Sequence, residues 1–118
     1  MKGIKKIRMS ACDKEWSKLV RERDKRCLSC GKRDNLAAHH YLRRSVKSTR
    51  LLLENGVTLC PSCHIFNHQF SAHKTPEAFK RWFKKNYPDR DKLVSVRAKT
   101  HMTERQAILE FKVLNKNI

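Results

Sequence analysis

Apolar positions recur along this chain at two different spacings, and the changes of spacing divide it. Over residues 13–24, DKEWSKLVRERD, the side chains of Trp16, Leu19, Val20 and Arg23 fall on one face at helical spacing. This predicts a helix with Asp13 as its N-cap, Glu15 in the first turn and Trp16 and the aliphatics in the core. Residues 36–41, LAAHHY, are a short apolar run ending in two histidines and suit a strand. Residues 42–54, LRRSVKSTRLLLE, have no clear period and read as a long loop with at most a short turn of helix. Asn55-Gly56 is a turn signal, and Val57-Thr58-Leu59 reads as a second short strand. A helix over the following HIFNHQFSAH would put His64 and His68 on one face, one turn apart. The middle of the chain therefore reads strand, loop, strand, helix.

The last third predicts helices. Thr75-Pro76-Glu77 is a helix start, with Thr as N-cap and Pro at the first helical position. Ala78, Phe79, Trp82 and Phe83 then form an apolar stripe that leaves Lys80, Arg81, Lys84 and Lys85 outside it. Tyr87-Pro88-Asp89 ends that helix, and residues 91–100 fit a helix or a strand. Thr103 to Gln106 matches a capping box, and Ala107, Ile108, Phe111 and Leu114 continue a stripe. That final helix can dock on the core, reach a nucleic acid or join a second copy. The chain thus divides into a basic arm over residues 1–12, a core over 13–73 and a helical extension over 74–118 that packs on the core.

At 118 residues the chain fits one domain, and with 39% hydrophobic residues its core is modest, so a metal would help it fold. No apolar run approaches the roughly 18 residues of a membrane helix. The basic N-terminus lacks the apolar segment of a secretory signal. The chain reads as soluble, cytoplasmic and without a membrane partner. Lys and Arg number 28 against 11 Asp and Glu, a formal net charge of +17. Such a surface repels itself, and a polyanion relieves the repulsion while releasing its own counterions. This is the footprint of a nucleic-acid partner; a basic protein with no special partner is the alternative.

Four of the five cysteines form two CxxC pairs, Cys27-Cys30 and Cys60-Cys63, while Cys12 stands alone and suits a small buried hydrophobe or a free thiol. In an intracellular chain paired CxxC motifs argue for a metal rather than disulfides. Two cysteines on a tight turn can face one tetrahedral ion, and a second such knuckle completes a four-cysteine Zn²⁺ site. Gly31 gives the first turn its backbone freedom. Redox-active pairs remain the other reading. With 29 residues between the pairs, the zinc must bracket a folded segment.

The stretch CLSCGKRDNLAAHHYLRRSVKSTRLLLENGVTLCPSCHIFNH resembles the zinc-containing branch of the HNH endonucleases, small nucleases frequent in phage and mobile elements. The resemblance runs over roughly residues 13–73: a helix ending near the first CxxC, a His-His pair, an Asn-Gly after a loop, and a CxxCH followed by a further His. It implies an α+β fold, a small ββα-metal (His-Me finger) core clamped by the four-cysteine zinc site, with flanking helices. It implies His39 as a ligand of a catalytic divalent metal, His40 as the general base, and Asn55 as the residue that orients the base and its loop. It implies His64 as a second metal ligand. His68 follows by similarity to the colicin nucleases, which use a further histidine one turn on.

The chemistry is sensible on its own terms. A neutral imidazole can accept water's proton near neutral pH, and a divalent ion beside the phosphate can stabilise the leaving 3′ oxygen. Neighbours on a strand point to opposite faces, so His39 and His40 share one site only if the strand ends or twists there. Asn55 could hold the loop from Leu42 to Arg50 by hydrogen bonds to its backbone. Nitrogen ligands suit Zn²⁺, Ni²⁺, Co²⁺ or Mn²⁺ better than Mg²⁺, which works only with waters and phosphate filling its shell. Arg43, Arg44, Lys47 and Arg50 are the candidates for phosphate contacts, which position DNA without specifying sequence. The expected function is a metal-dependent endonuclease acting on DNA, as monomer or homodimer. A noncatalytic zinc-stabilised nucleic-acid-binding module and a basic assembly protein are the alternatives.

Overall fold

In this computed structural model residues 8–115 are described. The first helix, α1 (Met9–Asp24), begins four residues before the expected start. Met9, Cys12, Trp16 and Val20 form its buried stripe, so the apolar period extends further toward the N-terminus than the Trp-centred pattern suggested. Asp13 is consequently not a cap but an interior residue paired with Arg50. Of the basic arm expected over residues 1–12, residues 9–12 belong to α1, and residues 1–7 lie outside the described residues. Lys25 ends the helix in a left-handed conformation, φ 63°.

Two short strands follow, β1 (Ala37–His40) and β2 (Gly56–Leu59), paired antiparallel with Ala37 opposite Leu59 and His40 opposite Gly56. The period of two sends alternate side chains to two different cores. Ala38, His40, Gly56 and Thr58 face α1: His40 stacks on Trp16, Thr58 Oγ1 donates to the Val20 carbonyl, and Gly56 lies against Val20. His39, Val57 and Leu59 face the other way, toward the cysteine cluster and Phe79. The intervening loop contains α2 (Lys47–Arg50) and a 3₁₀ turn, Leu53–Asn55.

Asn55-Gly56 does not form the open turn its sequence suggested. Gly56 has an ordinary extended backbone, φ −95°, and begins β2. Its lack of a side chain serves packing instead, because a Cβ there would come within 2.3 Å of a Val20 methyl and 3.0 Å of the Trp16 ring.

After Cys60 the chain makes a π-helical turn, Ser62–Phe66, and then leaves helical geometry at Asn67. The longer helix expected to align His64 with His68 is therefore absent. Three helices complete the fold: α3 (Pro76–Asn86), α4 (Pro88–Arg97) and α5 (Glu104–Leu114). Residues 91–97, open to either reading in sequence, are helical. Thr75 precedes α3 but does not cap it by side chain; its hydroxyl bonds Ser71 instead. The Thr103–Gln106 capping box is formed. Phe79 and Phe83 of α3 close the core on the side of the cysteines, while Ala107, Ile108 and Phe111 of α5 close the α1-side core. Leu114, the last position of the α5 stripe, is exposed. Tyr41, next to His40, is tied to α4 through a 2.6 Å hydrogen bond to the buried Asp91. No helix among the described residues is long and apolar enough to cross a membrane.

Candidate metal centre and active site

The first site is made of sulfur. Cys27, Cys30, Cys60 and Cys63 bring their sulfurs within 4.8 Å of one another, and Cys30 and Cys60 are 3.5 Å apart. Tetrahedral zinc with Zn–S bonds of about 2.3 Å needs sulfurs about 3.8 Å apart, so the group fits that ion. The first knuckle closes by Gly31 N–H to the Cys27 carbonyl at 2.8 Å, and Gly31 sits at φ 84°, where a side chain would be strained. Burial works against a thiolate at Cys27, but hydrogen bonds from the backbone of Cys60, Cys30 and Ser29 outweigh it and bring its pKa down to about 7. Burial pushes Cys63 up to about 12. A cation shared by the four sulfurs reverses that penalty, because a coordinated thiol is deprotonated. Cys12 lies in the first turn of α1, buried as a small hydrophobe.

The second site is made of imidazole. His39 from β1, His64 from the π turn and His73 from the loop before α3 each offer a ring nitrogen within the same 4.8 Å limit. The Nε2 atoms of His64 and His73 are 3.2 Å apart. Nitrogens bound at about 2.0–2.1 Å to one tetrahedral ion lie about 3.3 Å apart, so these rings also fit a shared cation. The backbone fixes them. The His73 N–H donates to the His64 carbonyl at 3.0 Å and the Ala72 N–H to the Cys63 carbonyl at 2.9 Å, so the two sites share one strand of chain. Burial, then the neighbouring imidazoles, hold His39 down at about 3. The same causes lower His64. His39 and His64 are thus predisposed to be neutral, the state that binds metal.

His68 is not part of this group. It is exposed on the loop beyond the π turn, where the early end of helical geometry leaves it. His73 takes the third position, which no helical spacing pointed to; the only hint was that it ends the charge-free run that begins at Asn55.

His40 points to the opposite face of β1, yet lines the same open cavity of about 760 Å³ as His39, His64 and His73. This is possible because β1 ends at His40. Its ring lies flat on the Trp16 indole, centroids 3.9 Å apart and planes 10° from parallel. Its Nε2 meets the Arg50 carbonyl at 3.1 Å. A carbonyl can only accept, so Nε2 carries the hydrogen and Nδ1 is left with the free lone pair. Burial lowers its pKa to about 4, against the opposing pull of the Arg50 carbonyl and Asp13.

The loop that carries the Arg50 carbonyl is held from two sides. Asn55 is fully buried; its Oδ1 accepts from Leu42 N–H at 2.8 Å and its Nδ2 donates to the Leu42 carbonyl at 3.1 Å. From α1, the Trp16 indole N–H donates to the Leu52 carbonyl at 2.8 Å, and Arg23 donates to the carbonyls of Leu53 and Gly56, each at 2.7 Å.

Of the four basic residues expected to meet phosphate, Arg43 and Arg44 are exposed and line the cavity, joined there by Lys80 of α3. Lys47 is exposed on α2 but is not among the cavity-lining residues. Arg50 is engaged otherwise: its Nε and Nη2 clasp the two Asp13 oxygens at 3.0 and 2.5 Å, which removes its guanidinium from the phosphate set.

Residues 27–70 match the family model described as HNH endonuclease. This segment belongs to the HNH endonuclease family. No curated protein and no solved structure matches the chain. The two-stranded sheet, the flanking helices and the four-cysteine cluster are consistent with a zinc-containing HNH fold. Parts of the centre lie outside the matched segment, among them Asp13 and Trp16 on its N-terminal side and His73 and Lys80 on its C-terminal side.

Proposed function

We propose that this HNH domain hydrolyses phosphodiester bonds in DNA, with His40 as general base. The observation that carries the reading is the tethered imidazole of His40, with Nε2 spent on the Arg50 carbonyl, in one cavity with a three-histidine group able to hold a cation. The tether fixes the tautomer, so Nδ1 is the nitrogen that accepts a proton. Its low intrinsic basicity keeps it free for that task, and the negative charge of a phosphate beside it raises its proton affinity. The oxygen of a water molecule bonds to phosphorus while its proton passes to His40; the bond from phosphorus to the 3′ oxygen breaks and that oxygen is protonated from solvent. His39, His64 and His73 would hold a divalent ion, which would supply Lewis acidity toward the phosphate and the leaving oxygen. Arg43, Arg44 and Lys80 hold the backbone phosphates, and Asn55 positions the loop that carries the Arg50 carbonyl.

The test is nicking of supercoiled plasmid after chelation and re-addition of single divalent ions. The all-nitrogen ligand set favours recovery with Mn²⁺, Co²⁺, Ni²⁺ or Zn²⁺; recovery with Mg²⁺ alone would contradict it. His40→Ala should lose nicking by about a hundredfold or more while keeping fold and DNA affinity. Equal nicking by that variant would remove His40 from the mechanism.

A further inference from the structure

The chain carries no charged residue from Asn55 to His73, although 28 of its 118 residues are Lys or Arg. The last part of this stretch is a loop that leaves the histidine cluster at His64 and returns to it at His73, closed by the hydrogen bonds between those two residues. Its backbone is held. The Asn67 N–H donates to the Ser62 carbonyl at 2.9 Å, and Asn67 Oδ1 accepts from the N–H groups of Gln69 and Phe70 at 2.8 and 3.2 Å. Phe70 anchors it against Phe79 and Trp82. Its outward side chains are left without partners of this kind: Phe66 is 66% exposed and Ile65 38%, followed by exposed His68 and Gln69.

We propose that this loop is a base-contacting element, with Phe66 stacking on an unpaired or unstacked DNA base next to the metal centre. The inference rests on reading the domain as a DNA nuclease, and it adds what kind of DNA the site prefers. The charges divide the surroundings of the cavity. Arg43, Arg44 and Lys80 line it and suit phosphates, which carry no sequence information. The loop that springs from His64 offers an aromatic face, an aliphatic side chain and the neutral hydrogen-bonding groups of His68 and Gln69, which suit base faces and edges instead. An exposed aromatic is tolerated beside a polyanion because every base presents a π-face, and apolar side chains that enter a base step unstack it. Two apolar side chains flanked by polar amides are also too small a patch for a stable protein interface.

The experiment uses the full chain carrying His40→Ala, so that DNA is bound without being consumed. Two duplexes of one sequence are compared, one fully paired and one with a single bulged 2-aminopurine. The bulged duplex should bind about tenfold more tightly, the gain expected from one base–aromatic stack. Its 2-aminopurine fluorescence should change on binding. Adding Phe66→Ala should remove both the preference and the fluorescence change while leaving the salt dependence of binding to paired duplex intact. Phe66→Tyr, which keeps a ring, should retain both. Equal affinity of the parent for the two duplexes would overturn the proposal. So would a preference that survives Phe66→Ala, or a Phe66→Ala variant altered only in its state of association. If the chain with His40 intact discriminates between the duplexes but never nicks them, the base contact stands and only the hydrolytic reading falls.

Discussion

At the scale of single residues, the two histidines that follow Cys-x-x-Cys-His illustrate how little spacing says once regular structure stops. His68, four residues after His64, would share its face in an α-helix. The chain instead winds one π turn and ends it at Phe66, so His68 is carried into solvent and His73, nine residues on, returns to lie 3.2 Å from His64. Removing a residue that merely supports a metal ligand typically costs about 10–100-fold in metal affinity, and losing a ligand costs no less. His73→Ala should therefore weaken Mn²⁺ or Co²⁺ binding by at least about tenfold by calorimetric titration, with nicking falling alongside. His68→Ala should leave metal affinity within about twofold, as expected of an exposed residue remote from the ion. The reverse pattern would return the third ligand to His68. His40 shows the opposite case: its partner was legible as a residue type but not as a contact. Trp16 reads as core in any amphipathic helix, yet it stacks on the proposed base and holds the Leu52 carbonyl.

At the scale of elements, both strands, the capping box and the aromatic stripe of α3 follow from local pattern because each has a strong period or a specific cap. The failures lie where tertiary contacts decide. The start of α1 was missed because Met9 and Cys12 look unremarkable until α5 covers them. The helix after Cys63 was expected because nothing in HIFNHQFSAH breaks one, whereas the chain must turn back there to bond His64 with His73. Gly56 is the instructive residue of this kind. The Asn-Gly pair pointed to a turn, and a turn would tolerate alanine poorly because of φ. The actual φ of −95° would accept any residue, and the constraint is the contact between β2 and α1. Gly56→Ala should then destabilise the protein by about 1–3 kcal/mol through overpacking against Val20 and Trp16. Val20→Ala in the same chain should recover part of that loss, since it removes the methyl groups that clash. No recovery in the double variant, read from urea unfolding, would point back to a backbone cause.

At the scale of the whole molecule, the sheet divides the interior into two cores, and the histidine pair sits at the seam between them, His40 on the α1 side and His39 on the side of the cysteine cluster. That arrangement buries imidazoles, and burial has a consequence for stability in acid. His39 and His40 are held at about 3 and about 4 in the folded chain, mainly by loss of water, and His64 is lowered as well. An unfolded chain protonates histidine near pH 6.5. Below that pH the unfolded state binds more protons than the folded one, so stability is fully present above about pH 6.5 and falls as the pH falls toward the folded values. Between pH 6.5 and 5 each strongly shifted ring contributes a loss on the order of 2 kcal/mol, before screening is discounted. Metal release acts in the same direction, because protons compete with a cation for imidazole and thiolate alike. The melting temperature should therefore drop steeply from pH 7.5 to pH 5. The drop should be shallower in His40→Gln, whose amide can still donate to the Arg50 carbonyl but cannot take up a proton in this range. A melting temperature that is flat across that interval would mean that the histidines are hydrated in the folded protein, and the closed, neutral geometry of His40 on Trp16 would have to be abandoned.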